Sequence, residues 1–285
     1  MTNTYSYGQN KYAVLCLLSA ALGIIFAMRA ALAWIIVIPR VFEIFDILTV
    51  IGALAVSLKF RRSLQKGDWV IALSLGAIVG AGMLCASLFA PYPFLGIVRD
   101  KIGQTWIRGS LTFLATLGGL AIMRQGGPAQ FHVANGNLRD ASRGILLGLA
   151  IGLPLAVLNV FALQFTQRQP IIWQNLFAAL LDALQPGMVE EIIYRFALWG
   201  LLWLVLRNSF PKQAAWLSGL LAMLTHTYAH FDDLFIRSPL AALGMGAALA
   251  LFWGLPPLFL ARRRGLEAAI AFHWLQDAVR FLTGF

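Results

Sequence analysis

Residues 188–199 read Met-Val-Glu-Glu-Ile-Ile-Tyr-Arg-Phe-Ala-Leu-Trp, three charges within six residues of otherwise apolar sequence. The surroundings decide what such a stretch means. The chain has 285 residues, is 60% hydrophobic and 12% charged, and has a mean hydropathy of +0.76. A soluble domain carries about 25% charged residues. Residues 69–89 and 144–165 contain no charge at all, and a helix of about 20 apolar residues crosses a hydrocarbon layer of about 30 Å. The predicted fold class is an all-α polytopic membrane protein, a bundle of about eight to nine transmembrane helices. Glu190, Glu191 and Arg195 then sit inside a span, where ionisable groups are costly and usually face a functional interior.

Nine stretches qualify as spans: 12–28, 41–58, 69–89, 105–123, 144–165, 187–206, 213–230, 239–260 and 266–283. Residues 30–38 can prolong the first, and 171–186 reads as an interfacial or re-entrant helix. The first run lacks a basic start and a small-residue cleavage site, so it reads as a retained helix and not a signal peptide. The polar connection 124–143 holds Gly-Gly-Pro and Asn-Gly turn signals. It divides residues 1–139, transmembrane helices of unknown role, from a chemistry-bearing part, 140–285. With the N-terminus in the cytoplasm, thirteen of the 22 Lys and Arg fall in inner loops and six in outer ones, the bias of the positive-inside rule. That orientation puts Glu190 and His226 at one depth, toward the outer face. The net charge of +10 fits loops beside anionic lipid, so the expected partner is membrane lipid and not nucleic acid. A multi-pass protein of the cell membrane is expected. Cys16 and Cys85 lie in apolar runs and form neither a disulfide framework nor a metal motif.

Helical spacing arranges the polar side chains. Glu191 and Arg195 are four apart, acid first, the favourable order for an ion pair. Glu190 is rotated about 100° from Glu191 and has Tyr194, not a cation, one turn on. It is therefore free to act as a base. The alternative is that both acids cap a helix start near the headgroups. His226 and His230 are also one turn apart and can ligate a divalent metal, or be interfacial histidines beside Phe231-Asp232-Asp233. His273 and Asp277 repeat the spacing: the carboxylate can orient the imidazole or join it on an ion. Alternatively the pair is structural, or Asp277 bonds Arg280. Brought together, the three stretches supply imidazoles to hold an ion and a carboxylate to take a proton from water. No His-Glu-x-x-His and no Gly-x-Ser-x-Gly occurs.

These residues resemble the three motifs of the CPBP (Abi, or type II CAAX prenyl protease-like) family of intramembrane metalloproteases. Glu190-Glu191-Ile-Ile-Tyr-Arg195 is similar to its Glu-Glu-x-x-x-Arg, and His273-Trp-Leu-Gln-Asp277 to its His-x-x-x-Asn/Asp. The Phe-x-x-x-His motif is altered. With Ser218-Gly219 as its leading small pair, His226 is the motif histidine and Ala222 replaces the phenylalanine; with His230 as the match, His226 replaces it. Tyr194 and Phe196 stand where the family often has Phe and Gly. The resemblance spans about 140–285. It implies an intramembrane metal-dependent endopeptidase with Glu190 as general base, Glu191 and Arg195 holding the site, and His226 or His230, His273 and Asp277 binding the ion or the attacking water. It also implies a divalent metal, usually zinc, and a peptide or lipid-modified protein as substrate. The altered second motif leaves a non-catalytic membrane scaffold or immunity-type protein of the same fold as the alternative. A transporter comes last, because the sequence has no internal repeat and the helix-breaking Gly-Leu-Pro-Pro at 254–257 has no counterpart.

Overall fold

The computed structural model describes residues 5–35, 42–87 and 94–285. Among these the chain is helical, and the one extended pairing is an isolated bridge between Phe94 and Val98. The N-terminal part supplies α1 (Tyr5–Ile35), α2 (Phe42–Lys59), α3 (Lys66–Cys85) and α4 (Lys101–Arg124). Then come α5 (Leu138–Gln167), a short α6 (Leu176–Asp182), and a wide-turned π-helix, Gln185–Leu198, that continues directly as α7 (Trp199–Leu206). After α8 (Ala214–Tyr228) and α9 (Asp232–Arg237), α10 (Pro239–Leu249) passes through a π turn at Ala250–Gly254 into α11 (Leu255–Arg264). The chain ends in α12 (Leu266–Leu282).

Among the described residues five stretches are long and apolar enough to cross a membrane: Tyr12–Leu32 within α1, then α3, α4, α5 and the α10–α11 rod, Pro239–Arg264. The protein is an integral membrane protein. The remaining expected spans are helical too, but shorter or more charged; α8 has 15 residues and α12 has 17. The expected prolongation of the first helix reaches Ile35, while 36–38, residue 41 of the second span and 88–89 of the third lie outside the described residues. Arg29, expected in an outer loop, is instead buried within α1. In the 171–186 stretch, α6 exposes Phe177, and its Ala179 and the following Ala183 pack with Phe281 of α12.

Helices in lipid gain little from hydrophobic burial against one another, so they associate through small residues that let backbones approach. Gly144, Gly148 and Gly152 form such a stripe on α5. A Cβ on each would meet, in order, the carbonyls of Arg264, Ala268 and Phe272, so α5 and α12 run parallel in close contact. Gly76 of α3 and Gly109 of α4 face each other in the same way, a Cβ on the first lying 2.8 Å from the other's carbonyl. Gly118 of α4 faces Ala53 of α2, and Gly119 faces the Phe196 ring. These contacts place α2 and α4 behind the π-helix and α12 in front of it. The π-helix thereby becomes the centre of the bundle, with Ile192, Ile193 and Tyr194 fully buried.

Candidate functional site

The charged stretch opens the site. The spacing predicts a regular α-helix, but Pro186 has no N–H to give, and Gly187 lies against the backbone of Trp274. From Gln185 to Leu198 the helix adopts the wider i→i+5 turn, a rare geometry often found at functional sites. The expected ion pair survives the change: Arg195 Nη1 lies 3.0 Å from Glu191 Oε1, both side chains buried.

Helix α8 brings His226 against this helix. The small pair Ser218-Gly219 makes the approach possible, since a Cβ on Gly219 would sit 2.9 Å from the Trp199 ring. His226 Nε2 lies 2.8 Å from Glu190 Oε2, and its Nδ1 lies 2.7 Å from Arg195 Nη1. Arg195 can only donate, so Nδ1 accepts, and the ring proton sits on Nε2 and is donated to Glu190. Aromatic rings flank the histidine: Tyr194 packs on His226 at 4.5 Å between centroids, and Phe42 of α2 meets it edge-on at 5.7 Å. Phe196 fits because α4 has Gly119 opposite it.

Helix α12 completes the cluster. His273 Nδ1 donates to Glu191 Oε1 at 2.8 Å, while Nε2 lies 3.3 Å from Asp277 Oδ2 and 3.9 Å from Glu190 Oε2. Asp277 also accepts from Arg280 Nη2 at 2.7 Å, so it bonds the imidazole and the arginine together. His230 lies just past α8, and its Nδ1 donates to the His226 carbonyl at 3.1 Å. Glu190, Glu191, Arg195, His226, His230, His273 and Asp277 therefore all converge, and both candidate histidines face the site. Arg195, His226, His230, His273 and Asp277 line a cavity of about 210 Å³ with Trp253 on its wall.

One ligand atom each from Glu190, His226 and His230 fall within 4.8 Å of one another, so the cluster is compatible with a divalent metal. Its donors are not equally free. His230 uses Nδ1 on a carbonyl and keeps the Nε2 lone pair, and Glu190 offers its carboxylate. Ligation through His226 Nε2 moves the ring proton to Nδ1 and sets it against the Arg195 N–H. His273 and Asp277, expected among the metal ligands, stand outside this donor group: His273 reaches it through Glu190, and Asp277 only through His273.

Two features escaped the sequence reading. Phe42 is a ring in the second expected span, with nothing local to mark it. A second buried ion cluster did leave a signal, because Arg108, Glu43 and Asp46 are charges inside expected spans. Arg108 of α4 reaches Asp46 Oδ2 at 3.1 Å and Glu43 Oε1 at 3.3 Å, both on α2. In addition, Arg29 of α1 donates to the Ala229 carbonyl at 3.2 Å, tying the first helix to the His226–His230 segment.

Residues 172–279 match the family model Rce1-like, described as type II CAAX prenyl endopeptidase Rce1-like. The match covers all three motifs and agrees with the family they resemble. No curated protein and no solved structure matches the chain.

Proposed function

We propose that this protein is an intramembrane endopeptidase that hydrolyses a peptide bond of a membrane-embedded or lipid-modified peptide, with Glu190 activating the water. One observation carries the reading. Arg195, His226 and His273 from three separate helices line one cavity, and Glu190 Oε2 is held beside them, 2.8 Å from His226 Nε2 and 3.9 Å from His273 Nε2. A carboxylate there takes a proton from water as the oxygen attacks the peptide carbonyl. The imidazole N–H groups answer the negative charge that develops on the carbonyl oxygen. Glu190 then returns its proton to the leaving amine, and the carbon–nitrogen bond breaks. Glu191 holds the His273 ring through Nδ1, and Arg195 fixes the tautomer of His226. The imidazole and carboxylate donors favour zinc as the divalent ion; bound, it polarises the peptide carbonyl and makes water more acidic. A bundle of eight to nine spans in the cell membrane is the setting this reading implies.

The test uses purified protein and a panel of fluorogenic prenylated CAAX peptides, with wild type, Glu190→Gln and His273→Ala compared. Cleavage by the wild type, lost in both folded variants, supports the peptidase. A wild type that cleaves nothing in the panel and holds no metal overturns it in favour of a non-catalytic membrane scaffold. A metal-independent form of the same reaction is favoured by the Arg195–His226 hydrogen bond of 2.7 Å, because that bond fixes the tautomer least suited to ligation. Cleavage that survives exhaustive chelation supports the metal-independent form, whereas activity lost to a chelator and restored by zinc refutes it.

A further inference from the structure

Helix α5 is apolar from Gly144 to Leu163 except at one position, Asn159. An amide inside a span is costly unless it has a partner, yet the Asn159 side chain is in no hydrogen bond with the described residues. It lines the same cavity as His226, His273 and Asp277. Its placement follows from the packing of α5 on α12. Gly152 contacts Phe272, and the Gly152 carbonyl accepts from Gln276 Nε2 at 2.8 Å, while Gln276 Oε1 accepts from Trp253 Nε1 at 3.3 Å. That lattice fixes the wall of the cavity. Asn159 lies seven residues beyond Gly152, about two turns and about 10 Å along the axis. It therefore sits toward the Arg280 end of the cavity, away from His273.

A carboxamide presents one acceptor and two donors, the complement of a peptide group's N–H and C=O. An extended chain advances about 3.3 Å per residue, so about 10 Å corresponds to about three residues. We infer that Asn159 is a substrate-positioning residue that hydrogen-bonds the main chain of the bound peptide about three residues from the cleaved bond. This inference rests on the peptidase reading of the same cavity. It identifies an extended peptide segment, and not an isolated bond, as what the site recognises.

Two measurements test it. In the first, Asn159→Ala is compared with wild type on fluorogenic prenylated peptides of decreasing length. The KM is expected to rise about tenfold for full-length peptides, the effect of one or two lost hydrogen bonds, with kcat little changed. Peptides too short to reach Asn159 should show no difference. In the second, an ester replaces the amide at each position in turn in a peptide offered to wild type. A rise in KM is expected at the position about three residues from the cleaved bond, and that rise should vanish in Asn159→Ala. On wild type the ester series needs no variant to fold, so the position of the main-chain hydrogen bond is tested even if Asn159→Ala aggregates, and a series with no rise at that position overturns the inference. Cleavage abolished by Glu190→Gln but indifferent to both Asn159→Ala and every ester overturns this inference alone. A wild type that neither cleaves nor binds any peptide overturns the peptidase reading and this inference with it.

Discussion

Two of the ion clusters buried among the described residues are built from different chemistry. In the first, Arg108 sits between Glu43 and Asp46, joining α4 to α2 at 3.3 and 3.1 Å. It contains no imidazole. A guanidinium keeps its charge at any accessible pH, so Arg108 is a fixed tie between α4 and α2. In the second, two carboxylates and an arginine on the π-helix are joined by His226 and His273, which line a cavity. Imidazole can carry its proton on either nitrogen and exchange it near neutral pH. Arg195 belongs to both kinds of design: its bond to Glu191 is a tie, and its bond to His226 selects a tautomer. The difference teaches that buried charge in this protein is not by itself a sign of chemistry. Imidazole beside an open volume is the distinguishing mark.

The largest expected effect separates the clusters by function. Glu190→Gln keeps the shape and removes the base, so kcat for peptide cleavage should fall by about 10²–10⁴-fold with unfolding in detergent unchanged. An active Glu190→Gln protein breaks the comparison at its centre. The converse variant is Arg108→Met. It leaves two buried carboxylates without their guanidinium, a loss of about 3–5 kcal/mol, read from denaturant unfolding monitored by tryptophan fluorescence. The folded fraction should retain its kcat. A stable Arg108→Met protein with poor kcat would assign the N-terminal cluster to catalysis and erase the distinction.

Much of this was legible in the sequence because helices make spacing into geometry. The i,i+4 pairs Glu191–Arg195 and His273–Asp277 form as read. The helical class follows from long uncharged runs such as 144–165. What spacing cannot give is the meeting of helices. The contacts of His226 with Glu190 and of His273 with Glu191 join residues 36 and 82 positions apart, and no local rule specifies them. The signal that existed was the glycine stripe 144, 148, 152, whose period marks a face of close approach. Phe42 was not legible at all, since its place beside His226 depends on how α2 docks. The π geometry was also hidden, because the residue types of 185–198 suit an ordinary helix equally well.

Asp277 sharpens the comparison within the histidine-bearing cluster. It accepts from Arg280 at 2.7 Å and stands 3.3 Å from His273 Nε2, so it orients the imidazole while being tied down like a structural carboxylate. Asp277→Asn keeps the hydrogen-bonding shape and removes the charge. The expected cost is about 10–100-fold in kcat/KM, the usual range for a residue that orients a reactive imidazole, with little change in unfolding. A loss as large as that of Glu190→Gln would place Asp277 among the reacting groups.

The smallest effect concerns the packing of α4 against the π-helix. Gly119 of α4 faces Phe196 of the π-helix, and a Cβ on Gly119 would overlap the ring. Gly119→Ala in the wild type is therefore expected to destabilise by about 1–3 kcal/mol, the range for overpacking. In a Phe196→Ala background the overlap is gone, and only the helix propensity of alanine over glycine remains, a gain of up to about 1 kcal/mol. The same substitution should thus change sign between the two backgrounds, as measured by the shift in thermal unfolding midpoint. Equal destabilisation in both would mean that Gly119 is required for its backbone and not for the ring it admits. The large residue at 196 would then owe its place to something other than the glycine on α4.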